Sequence, residues 1–523
     1  MLLGGTLMSD RVFYITTPIY YVNDVPHLGH AYTTVAADFI ARFRRMQGRR
    51  VHLLTGTDEH GQKILRTAER KGLSPKEWTD SMIPRWTEAW EALGITNDDF
   101  IRTTEERHEG PVQKFVQELY DKGEVYLGSY EGLYCVGCEA FKQPDELVEG
   151  KCPLHNTEPE VVKEENYFFR LSSYADRLVD LYENDARFVM PEARRNEVLG
   201  KVRQGLEDLS ISRVSFDWGV PIPWDPKHVI YVWIDALQNY ITAIGYGSDE
   251  ETFEEIWPAD IHFIGKDILW FHSVIWPAML MALDMPLPRT VFAHGFLQVG
   301  GEKMSKSRLT GISPHDLVAT FGMDGYRYYF MREISFGLDG NFSWEGMVDR
   351  YNSDLANDLG NLASRVLSMI ARYLDGTVPA APSDDELQPK DLELRRVQAE
   401  SFAAMEKAID DIAPHEALKA AWAFVRKSNA YVEEVAPWAL AKDESNRRRL
   451  EVVLYMLADA LRLLSLTTTP IIPIAAGELW RRLGYDDSVE EHTYPNDLGW
   501  GALPSGATVK VGEPLFPRLD TDI

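Results

Sequence analysis

Cysteine is nearly absent from this 523-residue chain: it has three, Cys135, Cys138 and Cys152, all in one short window. An odd, local set of that kind is poorly suited to a disulfide framework. Nor is there any run close to the ~20 apolar residues that a membrane span requires. The leader, Met1 to Asp10, has neither the basic start nor the apolar stretch of a secretory signal, and a second Met follows at Met8. A cytoplasmic location is therefore expected. Positive charge is also scarce: 54 Lys and Arg stand against 81 Asp and Glu, a net charge of -27. That balance argues against a general nucleic-acid coat protein and against adhesion to anionic membranes, although a local docking surface of placed Lys, Arg and helix N-termini is still open to it. Internal repeats and low-complexity tracts are missing too. The remainder has the composition of a globular protein, long enough for three or four folding units.

The hydrophobic pattern opens with a β-branched and aromatic strand, Val12 to Thr17, ending at Pro18. After an irregular aromatic segment, Tyr32, Val35, Ala36, Phe39, Ile40 and Phe43 recur at helical spacing up to Gly48, and Val51 to Leu54 forms a second strand. Strand, helix, strand in that order implies a right-handed crossover and a parallel sheet. Helical patterns follow at Trp78 to Leu93 and Pro111 to Lys122. From Val125 to about Phe216 the texture changes to short β-like pieces, and this stretch reads as an insertion. Strand-like segments then resume at His228 to Ile234, Ile261 to Ile264 and Thr290 to His294, with a helix from Ile268 to Ala282. Beyond about Gly346 the chain is almost wholly helical, with amphipathic segments at Leu355 to Leu374, Asp391 to Ile412, Ala417 to Val435 and Arg449 to Leu466. The expected fold class is α/β: a Rossmann-type parallel-sheet domain interrupted by a connective insertion, then an all-α bundle. The expected divisions are 1-122 and 220-295 for the sheet domain, 123-219 for the insertion, 296-350 for a linker domain, 351-485 for the bundle and 486-523 for a tail.

Two stretches have the chemistry of a phosphate site. His27-Leu28-Gly29-His30 stands between a strand and a helix, where Gly29 lets a flat base or sugar approach the backbone and two imidazoles beside a positive helix end can donate to phosphate oxygens. Lys303-Met304-Ser305-Lys306-Ser307 lies in a polar stretch after Gly300 and Gly301, its two ammonium groups and two hydroxyls able to close around a polyanion. Together they supply both sides of a triphosphate. Cys135-x-x-Cys138 and Cys152-x-x-His155 form two knuckle-like pairs, the pattern of a small structural tetrahedral zinc site that uses every cysteine in the chain.

The histidine and lysine-serine stretches resemble the two signatures of class I aminoacyl-tRNA synthetases. Thr16 to Asn23, Thr55-Gly56-Thr57-Asp58-Glu59-His60-Gly61, Tyr231 to Ala236, Ile264 to Ile268 with His272, and Asp354 to Arg365 narrow the resemblance to the methionyl-tRNA synthetase family, from about Val12 to Trp480. It implies attack of the methionine carboxylate on the α-phosphorus of ATP, which comes with Mg, and then transfer to tRNA(Met), initiator tRNA included. The nucleophile belongs to the substrate, so the protein's task is to align reactants and neutralise developing phosphate charge. His27, His30, Lys303 and Lys306 fill the catalytic role. Asn23, His27, Gly29, His30, Gly265, Asp267, Leu297, Lys303 and Lys306 are the implied ATP residues. Ile19, Tyr21, Asp58, Trp233, Ala236, Leu237, Tyr240, Ile268 and His272 are implied for methionine, Asp58 taking the α-amino group and the rest a flexible thioether that aromatic and aliphatic walls suit. Leu237 stands where some relatives have proline, and Asp235 is assigned a supporting role. Asn357, Asn361 and Arg365, repeating every four residues, and Trp438 resemble the family's anticodon-reading set, with Asn and Arg reading base edges and Trp stacking. A class I synthetase for an aliphatic amino acid is disfavoured because the insertion is too short for a large editing domain. A regulatory paralogue is disfavoured by intact His27, His30, Asp58, Lys303 and Lys306. The chain stops soon after the bundle, and a monomer is expected.

Overall fold

The computed structural model describes residues 11–138, 140–142, 146–299, 302–303 and 313–520. It divides into two compact units: one runs up to Ala37 and includes Val51–Trp90 and Thr96–His294, and the other includes Asp38–Arg50, Glu91–Ile95 and the described chain from Gly295 on.

The first unit is built on a six-stranded sheet of β1 (Phe13–Tyr21), β2 (Val51–Asp58), β3 (Asp99–Arg102), β4 (Val189–Met190), β5 (Ile261–Gly265) and β6 (Val291–His294), in the order β3-β2-β1-β5-β6-β4. Every pairing is parallel. β1 does not stop at Pro18 as expected from the sequence. It continues to Tyr21, and its register against β2 slips between Thr16 and Ile19, so the proline, which has no N–H to donate, sits in the irregularity. Helix α1 (Leu28–Met46) follows β1, and all six of its periodic positions from Tyr32 to Phe43 are buried. The segment expected as one strand from His228 to Ile234 is instead a strand, Asp225–Ile230, followed by the short helix α2 (Val232–Leu237) and then α3 (Asn239–Thr242). Its residues after His228 form an unbroken apolar run, which fits a buried strand and a buried turn of helix equally. Residues expected as an insertion contain an antiparallel sheet in which Val125–Cys135 pairs with Glu160–Phe169 and with Ala140–Lys142.

In the second unit, long helices at Asn361–Tyr373, Pro389–Asp410, Pro414–Val435 and Arg447–Thr468 form the expected bundle. Leu297–Val299 pairs antiparallel with Glu302–Lys303 and parallel with Gly340–Phe342. A fully buried ion pair, Arg327 to Asp38 at 2.6 Å, anchors the helix Pro314–Glu333, and the same guanidinium donates to the carbonyls of Leu93, Pro470 and Ile471. Those extra acceptors matter, because a buried charge pair holds only when its remaining donors are satisfied. The sequence leaves the tail undecided; in the structure it packs back, Asn352 exchanging two 2.9 Å hydrogen bonds with the Leu519 backbone and Phe516 buried against Tyr351. No described helix is long and apolar enough to cross a membrane.

Candidate active site

The carboxyl ends of β1, β2 and β5 bring the first unit's predicted residues together, as expected where ligands bind open parallel sheets. His27 and His30 are stacked, ring centroids 3.6 Å apart, at the start of α1. His30 lies 4.9 Å from the Tyr20 ring and 5.0 Å from Trp86. The backbone N–H of Gly29 donates to His27 Nδ1 at 3.0 Å, and that of His27 to His30 Nδ1 at 3.3 Å. With both Nδ1 atoms accepting, the ring proton of each imidazole resides on Nε2, which makes each a donor suited to an anion. A Cβ on Gly29 would come within 2.9 Å of His27 Cε1, so glycine is needed for this fold-back. Asn23 is half-buried in the turn after β1. Gly265 ends β5, and Asp267 follows, exposed, in the one-turn segment Lys266–Ile268, its Oδ1 2.5 Å from where a Cβ on Gly265 would be.

Asp58, the last residue of β2, is buried and in register with Tyr21 of β1. Tyr21 donates to the carbonyl of His60 at 2.7 Å. Ile19, Tyr21, Trp233 and Ile268 pack, partly buried, against one apolar core that includes Leu237 and Tyr240, while Ala236 is buried on α2. Trp233 stacks on Phe271 at 4.1 Å. His272 is buried, and burial pushes it down to about 4, so it is neutral at physiological pH. Its Nδ1 lies 3.0 Å from the carbonyl of Ile268, an atom that can only accept, so Nδ1 carries the proton and Nε2 accepts from the Tyr240 hydroxyl at 2.8 Å. The result is an uncharged, aromatic wall with its polar atoms already paired.

Three residues here escape a reading by motif alone: Phe271, His108 and the side chain of His60. Glu59 and His60, next to Asp58, are both pinned. Glu59 is buried, receives Arg102 at 2.7 and 2.9 Å, and accepts from Thr57 and Thr104. His60 Nδ1 meets Asp235 Oδ2 at 2.7 Å, and the other carboxylate oxygen meets His108 Nε2 at 3.0 Å. The signal for His60 was its place in the motif beside Asp58; nothing local marked His108.

The second unit contains the rest. Leu297 is buried in its short strand. Lys303 is described only as backbone paired with Gln298, and Lys306 lies outside the described residues. Asn357 and Asn361 are exposed, Arg365 is half-buried, and Trp438 is exposed. The Arg365 guanidinium lies 5.8 Å from the Trp438 ring and pairs with Glu433 at 2.5 Å. Those two predicted residues therefore meet, with an acidic partner the sequence did not suggest.

At the knuckle, Cys135, Cys138, Cys152 and His155 bring one ligand atom each to within 4.8 Å of one another. Cys138 Sγ is 3.5 Å from Cys152 Sγ and 3.3 Å from His155 Nδ1. Zn–S bonds of about 2.3 Å in a tetrahedron put sulfurs roughly 3.8 Å apart, so the donor set and its spacing fit zinc with no position left open.

A parallel sheet with ligand residues at its carboxyl edge, and an imidazole pair opening the first crossover helix, are features of a class I aminoacyl-tRNA synthetase. A family model described as tRNA synthetases class I (M) matches residues 13–159 and 142–367, and the anticodon binding domain of methionyl tRNA ligase matches 381–522. Methionine–tRNA ligase of Streptomyces coelicolor is 52% identical over 533 residues, covering 99% of this chain and 98% of its own. A solved Mycobacterium tuberculosis methionyl-tRNA synthetase in complex with methionyl-adenylate superposes with TM-score 0.91 at 41% identity, over 97% of this chain and all of that one. Its apo form gives TM-score 0.83 at 39% identity, covering 98% of each chain. The chain belongs to the methionyl-tRNA synthetase family, whose members are methionine-tRNA ligases of class I.

Proposed function

We propose that the pocket at the carboxyl ends of β1, β2 and β5 selects methionine and that the adjoining histidine pair holds ATP, so that a methionine carboxylate oxygen attacks the α-phosphorus while the bond to pyrophosphate breaks. The observation that carries this reading is the neutral Tyr240–His272 pair, which gives the pocket a polar but uncharged wall suited to a thioether. Asp58 then receives the α-ammonium group, with Ile19, Tyr21, Trp233, Ala236, Leu237 and Ile268 around the side chain. Asn23, His27, Gly29, His30, Gly265, Asp267 and Leu297 serve ATP. Lys303 and Lys306 neutralise the leaving phosphates, and magnesium arrives as a ligand of the triphosphate. Methionyl transfer is to tRNA(Met), including the initiator, read by Asn357, Asn361, Arg365 and Trp438. Cys135, Cys138, Cys152 and His155 hold a structural zinc. We divide the chain into 1-122 with 220-295, 123-219, 296-350, 351-485 and 486-523, in a monomer working in the cytoplasm.

Amino-acid-dependent ATP–pyrophosphate exchange tests the assignment. Methionine should support exchange and leucine or isoleucine should not, and Asp58→Asn should raise the KM for methionine at least tenfold while leaving that for ATP within twofold. Exchange with another amino acid, or an unchanged methionine KM in the variant, refutes it.

A further inference from the structure

Asp235 is buried at the centre of a polar chain that no substrate-facing role accounts for. A carboxylate can only accept, so both imidazoles turn an N–H toward it: Nδ1 of His60 at 2.7 Å and Nε2 of His108 at 3.0 Å. Each partner belongs to a different part of the methionine pocket. His60 follows Asp58 by two residues, and its carbonyl takes the Tyr21 hydroxyl at 2.7 Å. Asp235 itself is on α2, between Trp233 and Ala236. His108 Nδ1 is hydrogen-bonded at 2.7 Å to the hydroxyl of Thr242 on α3, the helix that carries Tyr240.

We propose that Asp235 is a positioning residue for methionine recognition, tying the Asp58 segment through His60, and the Tyr240 helix through His108 and Thr242, to its own helix. The proposal rests on the assignment of Asp58 and the aromatic wall to methionine. One carboxylate thus sets the spacing between the group that takes the ammonium and the walls that take the side chain.

The electrostatics agree with this arrangement. Burial opposes a charge on His60, yet the Asp235 carboxylate, with Glu109 and Asp58 adding to it, holds the imidazole up at about 10. Burial likewise opposes the charge on Asp235, and His60 and His108 hold it down to about 2. The groups facing His60 are Asp235 from α2, Glu109 at 3.6 Å from the helix Glu106–Asp121, Asp58 from its own segment, the Trp218 ring at 5.4 Å and, across Asp235, His108.

Asp235→Asn in the full chain is the test, because the amide nitrogen would turn a donor against one of two donors. Methionine KM in exchange should rise at least tenfold with ATP KM within twofold. In 15N-histidine spectra at pH 8, His60 should change from imidazolium to neutral imidazole, and the ATP KM held within twofold separates this from a general loosening of the core. An unchanged methionine KM, or a parallel rise for ATP, overturns the proposal. Should Asp235→Asn fail to fold, Thr242→Val removes only the hydroxyl on His108 and should raise methionine KM severalfold; no change there also overturns it. Asp58→Asn run alongside separates the two readings. An unchanged methionine KM in that variant refutes Asp58 itself, whereas a raised KM there with none in Asp235→Asn overturns the positioning role alone.

Discussion

Gly137, between two cysteines of the knuckle, offers a way to test the fourth ligand without deleting it. A Cβ at this position would lie 2.5 Å from Cγ of His155, 2.6 Å from Cδ2 and 2.9 Å from Nδ1. Ordinary carbon contacts are about 3.5–4.0 Å, so the imidazole must retreat by roughly 1 Å. The near edge of the ring is what collides, so no rotation of a far end relieves the contact. A Zn–N bond tolerates only about 0.2 Å of displacement around its usual length. Gly137→Ala should therefore weaken zinc binding at least as much as changes in a ligand's supporting groups do, about 10- to 100-fold. Chelator competition followed by metal analysis reads this directly, with His155→Ala as the reference for full loss. Zinc held as tightly by Gly137→Ala as by the parent chain would mean that the imidazole is not a ligand.

Two further outcomes follow from buried polar groups. Tyr240→Phe removes the donor to His272 Nε2 and leaves that buried nitrogen unpaired, a loss of about 1–3 kcal/mol; methionine KM should rise about tenfold or more with ATP KM unchanged, and equal effects on both would refute the pocket assignment. Asp324 accepts from the backbone of Ile474 at 3.3 Å and Ala475 at 2.7 Å, and burial raises it to about 6, above its usual 3.8. Its folded value exceeds its unfolded one, so ionised Asp324 detracts from stability progressively as pH rises from about 4 to 6, and evenly above that. Thermal melts of Asp324→Asn against the parent should show the variant gaining relative stability across that window; a difference independent of pH would refute the shift.

The periodicity of Tyr32 to Phe43 and the bundle helices were legible because each depends on neighbours a few residues away, where side-chain pattern and backbone geometry are tied. The histidine signature was legible for the same reason: its stacking and backbone hydrogen bonds all occur within four residues. Reading failed where a local pattern has two solutions. His228 to Ile234 is an almost unbroken apolar run, as a buried strand can be, yet from Val232 the chain turns into α2, which carries Trp233, Asp235 and Ala236.

The sequence by itself determined the class of chemistry, the fold class and the order of most elements, since these are carried by short contiguous stretches. Only the tertiary structure decided the charge states and the partners. Asp235 meets His60 across 175 positions and His108 across 127, and Tyr240 meets His272 across 32. Whether such a group is ionised, neutral or a donor depends on how much water the fold removes from it and which atoms the fold puts in water's place.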